Sequence, residues 1–156
     1  MRTNLIDMLV LHEGMRTKPY EDSLGILTIG VGRNLESMGL SHDEVYYMLR
    51  NDIRRCEEEL DNTFRWYKYL DQVRQDAMID LCFNLGITRL RKFKKALGFM
   101  ETDDFEKAAD EFMDSKWASQ VGQRAINVTT MIRTGEYYAN GKRKEIRLHR
   151  RRNGGS

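Results

Sequence analysis

The chain is poor in the residues that most often build metal sites and disulfide frameworks. Its 156 residues include one proline, two cysteines and three histidines, and no His or Cys spacing typical of a metal site is present. We therefore expect neither a metal nor a cofactor. Cys56 and Cys82 lie in helical apolar patterns and are interpreted as core thiols, with a disulfide left open as the alternative.

Long apolar runs are also missing. The N-terminal run from Leu5 to Leu11 is interrupted by Asp7 and followed by a polar His12-Glu13 pair. It is too short and too polar for a signal peptide or a membrane span. We expect a protein made in the cytoplasm without a signal peptide and without stable insertion into a membrane.

The net charge of +2 hides an asymmetry. Residues 141–156 contain seven Lys or Arg and one Glu, which gives this segment a charge of +6, so the body is mildly acidic. This distribution does not favour a nucleic-acid partner. Residues 141–156 are interpreted as a flexible basic tail, with binding to anionic lipid or lipopolysaccharide as the alternative.

What the chain does contain predicts an α+β fold that is mainly α. The low proline content and the many Leu, Met, Glu, Lys and Arg residues favour helices. We predict a single domain over residues 1–140. It comprises a small β-containing lobe (about 14–55) and a helical lobe (1–13 and about 60–140), joined by a long connecting helix.

The only strong strand signal lies between Tyr20 and Leu35. The β-branched residues there favour strands, and Asp22 to Gly25 is typical of a type I turn that ends in a left-handed glycine. The stretch therefore predicts a small antiparallel sheet. Just before it, Gly14 is a typical helix C′ residue, so Glu13 should end the first helix.

The rest of the chain predicts helices. Ser41 to Glu44 has the pattern of a capping box and starts the connecting helix. Further along, Asp71 is a predicted cap, and either Thr102 or Asp103 caps a later helix. A break is predicted at 119–122, and Gly135 should end the last helix.

Two carboxylates of different character occupy the sheet region. Glu13 lies at the negative end of a helix, which favours its protonated form, and Asp22 lies at a polar turn, where a carboxylate stays ionised. Thr28 follows with a hydroxyl able to hold a water. Such a set can cleave a glycosidic bond, although each residue alone also has a structural explanation.

The combination resembles the signature of the T-even type of phage lysozymes, which have Glu-Gly, then Asp, then Thr-x-Gly-x-Gly. The Glu-to-Asp and Asp-to-Thr spacings here are nine and six residues. The matching residues are Glu13-Gly14, Tyr20, Asp22, Gly25 and Thr28-Ile29-Gly30-Val31-Gly32. The resemblance implies that the catalytic residues are Glu13, Asp22 and Thr28.

Several later segments are also similar to this family. They are Phe83-Asn84-Leu85-Gly86, Phe93, Trp117, Arg124-Ala125 and Arg133-Thr134-Gly135. The resemblance covers Asn4 to about Tyr138. It implies a two-lobe lysozyme-like fold with an all-helical C-terminal lobe. It also implies substrate-binding roles for Asn34, Phe83, Asn84, Phe93 and Arg124, with Arg124 near the acid.

Some positions depart from the family pattern. The segment Asn34 to Ser41 is short, as in the compact members with a small sheet lobe, and Arg33 stands where the family has a histidine. Two sugar-contacting positions fall on Ala96 and Glu111, whose side chains cannot make the same contacts. The departures concern substrate contacts and leave the proposed catalytic residues intact.

The resemblance implies a monomeric endolysin. It would hydrolyse the β-1,4 bond between N-acetylmuramic acid and N-acetylglucosamine of bacterial peptidoglycan with inversion, and a holin would release it from the host cytoplasm to the cell wall. Two alternatives stay open: a lytic transglycosylase acting on the same bond, and a cationic wall- or membrane-binding protein that kills without catalysis.

One basic run has two interpretations. Residues 89–95 contain five Lys or Arg residues, Arg89, Arg91, Lys92, Lys94 and Lys95. The run is either a solvated helix face or a surface attracted to an anionic cell wall.

Overall fold

The structure, a computed structural model, describes residues 3–137. The predicted basic tail, 141–156, lies outside the described residues. The strands are β1 (Arg16–Glu21), β2 (Leu27–Gly30) and β3 (Arg33–Asn34). The helices are α1 (Thr3–Glu13), α2 (His42–Thr63), α3 (Gln72–Leu85), α4 (Ile87–Leu90), α5 (Lys94–Glu101), α6 (Phe105–Met113), α7 (Lys116–Val121) and α8 (Gln123–Thr134), with a 3₁₀ turn at Tyr67–Tyr69. The predicted α+β, mainly α class is confirmed.

The chain divides into two compact units, with the boundary between Leu49 and Arg50. The first unit contains α1 and the sheet, and the second contains most of α2 and all the later helices. The sequence prediction instead grouped residues 1–13 with the helical lobe, and that grouping stays a prediction. None of the helices within residues 3–137 is both long and apolar enough to cross a membrane.

The first unit is organised by a three-stranded antiparallel sheet in the order β1-β2-β3. Tyr20 of β1 pairs with Thr28 of β2, which in turn pairs with Asn34 of β3. The predicted turn is present, because the amide of Gly25 donates to the carbonyl of Asp22 at 3.0 Å and Gly25 has a φ of +76°. These local hydrogen bonds fix the register of the hairpin.

The first unit has almost no apolar core. Thr28 is the only buried residue between residues 3 and 49. Helix α1 has no buried residue. Five of its large apolar side chains are exposed, namely Leu5, Ile6, Met8, Leu9 and Leu11. Main-chain hydrogen bonds and polar side chains therefore carry most of the local order in this unit.

A polar network marks the start of α2. The amide of Ser41 donates to Oε1 of Glu44 at 2.9 Å, and the amide of Glu44 donates to the Ser41 hydroxyl at 3.2 Å. This is the predicted capping box. Arg33 extends it, since Nη1 lies 2.7 Å from Oε1 of Glu44 and also donates to the carbonyl of Gly39. The network ties β3 to the helix that follows it.

In the second unit, short polar residues cap the starts of α3, α6 and α7, and glycines end α3, α7 and α8. Asp71 caps α3 as predicted, and Gly86 and Gly135 end α3 and α8. The predicted cap at Thr102 or Asp103 was wrong, because Asp104 accepts the amide of Lys107 and caps α6.

The predicted break at 119–122 was also partly wrong. Helix α7 begins after the Ser115 cap and runs to Val121, so the break falls at Gly122. Glycine is required there, because Gly122 has a φ of +60°. The chain therefore has one more short helix than the sequence predicted in this region.

The core lies in the second unit around Phe112. The Phe112 ring contacts Phe93 at a centroid distance of 5.5 Å and Trp117 at 6.4 Å. The other large side chains that are almost completely buried are Leu60, Met78, Leu81, Leu90, Met100, Val128 and Ile132. Burying such side chains contributes roughly 1.5–3 kcal/mol each, so the apolar stabilisation of the described residues is concentrated here.

Cys56 and Cys82 are both buried and free in this core, which confirms their prediction as core thiols. Burial raises the pKa of the Cys82 thiol to about 12, and it raises the pKa of Cys56 as well. Both thiols therefore stay protonated at neutral pH and behave as small apolar groups.

The capping network makes a pH prediction. Hydrogen bonds from the Ser41 amide and Arg33 hold the pKa of Glu44 below its usual value. A carboxyl whose pKa is lowered by folding stabilises the fold above its unfolded pKa, and this contribution is lost as the pH falls through the lowered value. We expect local stability at the start of α2 to fall less steeply with decreasing pH in Glu44→Gln than in the parent. Protection of the Val45 amide against hydrogen exchange measures this stability.

The matched control is Glu36→Gln, an exposed glutamate in the same unit whose side chain takes no part in the network. It removes the same charge and should leave the acid side unchanged. Equal profiles for the two variants would contradict the role given to Glu44.

Candidate active site

The end of α1 positions Glu13. The amide of Gly14 donates to the carbonyl of Val10 at 2.8 Å and, with a φ of +79°, Gly14 turns the chain out of the helix. The Glu13 side chain is exposed and lies against the main chain of Gly32, where a methyl group would stand 2.7 Å from Oε2. The structure thus brings the carboxyl group of Glu13 directly against the turn between β2 and β3.

The β1–β2 turn positions Asp22. Its Oδ1 accepts hydrogen bonds from the amides of Leu24 and Ile26, both at 2.9 Å. Two main-chain donors on one oxygen fix the orientation of the carboxylate. Within residues 3–137, Oδ2 of Asp22 has no hydrogen-bond partner, so this oxygen is available to a water or a substrate.

Thr28 lies on β2, six residues after Asp22. It is only 4% exposed, and its hydroxyl donates to the carbonyl of Ile26 at 2.8 Å. Because the proton is used in this bond, the oxygen is left with lone pairs that accept. Ile26 bonds to Asp22 through its amide and to Thr28 through its carbonyl, so one residue holds both predicted catalytic side chains.

Asn34 belongs to the same sheet. It pairs with Thr28 across β2 and β3, so its side chain points to the same face of the sheet. Its Oδ1 accepts from the amide of Ser37 at 3.1 Å. This bond leaves the amide nitrogen as the group that Asn34 could offer to a ligand.

The remaining predicted substrate-binding residues lie in the second unit. Phe83 is an exposed aromatic residue on α3, with 46% of its surface accessible. The neighbouring Asn84 accepts the indole Nε1–H of Trp117 at 2.7 Å through Oδ1. Because the oxygen is held by Trp117, the Nδ2 donors of Asn84 have a fixed direction.

Phe93 lies at the end of the α4–α5 connection. One side of its ring packs on Phe112 in the core. Phe93 also lines an open groove of about 280 Å³, together with Lys92, Lys94, Lys95, Ala96, Glu111, Asp114 and Ser115. Ala96 and Glu111, which were predicted to fall at two sugar-contacting positions of the family, therefore lie in this groove with Phe93.

Arg124, at the start of α8, has a partner that the sequence did not predict. Its Nε donates to Oδ1 of Asp80 at 2.8 Å, and its Nη2 donates to the carbonyl of Asp80 at 3.3 Å. Asp80 therefore fixes the guanidinium and neutralises part of its charge. The predicted position of Arg124 near the acid stays a prediction.

The first unit thus holds a carboxyl group at a helix end and a second, hydrogen-bonded carboxylate with one free oxygen, next to a threonine. Such a pair suits acid/base chemistry, in which one group gives a proton and the other activates a water. No cluster of three or more His, Cys, Asp or Glu residues that could hold a metal is present in residues 3–137.

A protein-family model matches most of the chain. The phage lysozyme family model matches residues 10–135, a span that contains every predicted site residue. The chain belongs to the phage lysozyme family. Its class of activity is that of a lysozyme-type peptidoglycan hydrolase.

Curated relatives extend the comparison. The chain is 26% identical to the probable T4-type lysozyme 1 of Dictyostelium discoideum over 86% of this chain and 96% of the relative. It is 29% identical to the endolysin of Salmonella phage P22 over 71% of this chain and 80% of the relative. A match at 25% identity covers 88% of this chain but only 29% of the pre-baseplate central spike protein of Enterobacteria phage T4.

Two supporting contacts of this lysozyme were not predicted from the sequence. Trp117 was recognised as a family position, but its bond to Asn84 joins residues 33 positions apart and leaves no local signal. Asp80 was missed for the same reason, since it is 44 positions from Arg124. Gly32 was recognised as a motif residue, and the structure adds its contact with Glu13.

The contact at Gly32 makes a prediction. In Gly32→Ala, the new methyl group must displace the Glu13 carboxyl group, whereas Gly30→Ala meets no atom within 4 Å. Both glycines have nearly the same positive φ, +67° and +69°, so the two variants carry similar backbone strain, about 1–2 kcal/mol. Gly30→Ala is therefore a matched control.

We expect Gly32→Ala to lose about 10²-fold more peptidoglycan hydrolase activity than Gly30→Ala, because a misplaced catalytic group is costly. Thermal unfolding of the two variants should be shifted alike. If the two lose the same activity, Gly32 has no role in placing Glu13.

Proposed function

We propose that this lysozyme hydrolyses the β-1,4 bond between N-acetylmuramic acid and N-acetylglucosamine with inversion at the anomeric carbon. The observation that carries the proposal is a pair of carboxyl groups, one beside each of the two turns of the sheet. One is exposed at the end of α1, and the other has one oxygen fixed by two amides and one oxygen free. Family resemblance supports the same roles.

In this mechanism, Glu13 is the general acid. It donates its proton to the glycosidic oxygen as the bond to the anomeric carbon breaks. The contact with Gly32 limits the positions that its carboxyl group can take. An acid held in place in this way reaches the leaving oxygen without first losing conformational freedom.

Asp22 and Thr28 position the water. A water that donates one hydrogen to the free Oδ2 of Asp22 and the other to Oγ1 of Thr28 has both lone pairs directed away from them. Thr28 can accept in this way because its own hydroxyl already donates a hydrogen bond to the carbonyl of Ile26. As the water attacks, Asp22 takes its proton, and the product anomer is inverted.

The remaining site residues would hold the sugar. We propose that Asn34 and Asn84 donate amide N–H bonds to it, because the oxygen of each amide is already used within the protein. Phe83 and Phe93 offer aromatic faces of the kind that sugars stack on. Arg124, held by Asp80, would contribute a fixed cation.

We further propose that the enzyme acts as a monomer and as an endolysin. It would accumulate in the host cytoplasm and reach the cell wall after a separate holin permeabilises the membrane. The endolysin of Salmonella phage P22, to which the chain is 29% identical, supports this assignment.

The first test replaces the acid. Glu13→Gln should lower the hydrolysis of purified peptidoglycan by roughly 10²- to 10⁴-fold, the usual contribution of a positioned acid. The release of reducing ends measures it, and circular dichroism checks the fold. Unchanged lysis of whole cells by the variant would instead identify a protein that kills without catalysis.

Product analysis tests the rest of the mechanism. We expect the newly formed anomeric centre to be inverted when it is observed by NMR before mutarotation, and we expect no anhydromuramic ends in mass spectra. Anhydromuramic ends would identify a lytic transglycosylase, and a retained anomer would remove the role given to Asp22.

Asn84 makes a separate prediction. Asn84→Asp keeps an acceptor for Trp117 but removes the Nδ2 donors, so we expect a KM about tenfold higher with little loss of stability. Asn84→Ala also leaves the indole N–H of Trp117 unpaired and should lower the free energy of unfolding by about 1–3 kcal/mol. A KM for Asn84→Asp equal to that of the parent would make the role of Asn84 purely structural.

A further inference from the structure

The segment that runs from the end of α4 to the first turn of α5 carries charged residues of one sign only. We call it the basic edge and define it as Arg89, Arg91, Lys92, Lys94 and Lys95. All five residues are exposed. The twenty residues from Leu81 to Met100 contain no Asp or Glu, so no acid adjoins the basic edge along the chain.

The basic edge also lacks ion-pair partners in the part of the chain that the structure describes. Within residues 3–137, the ion pairs are formed by other cations, namely Arg33, Arg55, Arg74, Lys107, Arg124 and Arg133. Glu111 and Asp114 line the same groove as three of the lysines, but neither forms an ion pair with them. The five positive charges therefore remain available to an external anion.

This arrangement costs stability. Like charges so close together repel each other, and two lysines occupy the first turn of α5, where the helix dipole favours acidic residues. A solvated face usually mixes the two signs, as α2 does with Asp52, Arg54, Arg55 and Glu57. The basic edge does not, which indicates that its charge serves binding.

The position of the basic edge indicates the partner. Phe93, proposed above to stack on the sugar, lies between Lys92 and Lys94 in sequence, and these three residues line one groove. An anion bound here would thus belong to the same molecule as the sugar. The negative groups that peptidoglycan carries along its glycan strands are the carboxylates of its peptides.

We propose that the basic edge is a docking surface for the peptide carboxylates of peptidoglycan and holds the polymer beside the groove at Phe93. This inference rests on the proposed function and deepens it. The edge contributes affinity and steering, and it takes no part in the chemical step.

The test measures binding of the catalytically silent Glu13→Gln protein to purified sacculi. In that background, all five cations of the basic edge are replaced by glutamine. The control replaces five other exposed cations by glutamine, Arg50, Arg54, Arg65, Lys68 and Lys116, and so removes the same charge. The sacculi are used either native or with their carboxylates converted to amides.

At low salt, we expect the basic-edge variant to bind native sacculi roughly tenfold more weakly than its parent, with a smaller salt dependence. The control should bind within about twofold of the parent, because its charges are spread over the surface. Amidation of the sacculi should weaken binding of the parent to the level of the basic-edge variant. It should leave the binding of that variant unchanged.

Two outcomes overturn the proposal. Equal losses in both variants would show that only net charge matters. Unchanged binding of the parent to amidated sacculi would show that the anion is not a carboxylate, for example a wall phosphate.

A charge-conserving variant guards against misfolding. It carries Arg89→Lys, Arg91→Lys, Lys92→Arg, Lys94→Arg and Lys95→Arg, and it should bind as the parent does. Because repulsion is relieved, the glutamine variant should melt no lower than its parent.

The failure of this inference is distinguishable from the failure of the proposed function. Reducing-end release is measured in proteins that retain Glu13. If they release no sugar ends, the proposed function fails whatever the binding shows. If they do so while both variants bind equally, only the role of the basic edge fails.

Discussion

The contact between Glu13 and the main chain of Gly32 is the constraint on which the candidate site depends. A carboxyl group can lie this close to a backbone only where no side chain intervenes, and the positive φ of Gly32 excludes most other residues as well. The same turn joins β2 to β3. The sheet therefore reaches α1 through the residue that positions the proposed acid.

Each of the two units is stabilised internally by a different kind of interaction. Around Phe112, aromatic and aliphatic side chains are buried, and charged groups such as Arg133 with Glu106 and Asp110 remain at the surface. In the first unit, hydrogen bonds take the place of apolar packing, since Asp22 orders one turn and Glu44 with Arg33 orders the start of α2. A catalytic site made of charged groups is compatible with a unit that is ordered by hydrogen bonds.

Features set by neighbouring residues could be predicted from the sequence. The Asp22–Gly25 turn and the Ser41–Glu44 capping box follow from local chemistry, and both are present. The predicted cap of α6 was wrong by one or two positions among adjacent polar residues. Asp103 adopts a φ of +59°, and the next residue, Asp104, caps the helix. Partners distant in sequence, such as Asp80 for Arg124, are fixed only by the packing of α3 against α8.

The nearly coreless first unit has a consequence for how the enzyme responds to heat. With Thr28 as the only buried residue between 3 and 49, opening this unit exposes little new apolar surface, so it should open at lower temperature than the core around Phe112. The proposed catalytic residues all lie in the part that opens first. Brief warming should therefore abolish the activity of the enzyme while the helices of the second unit stay folded. Cooling should restore the activity.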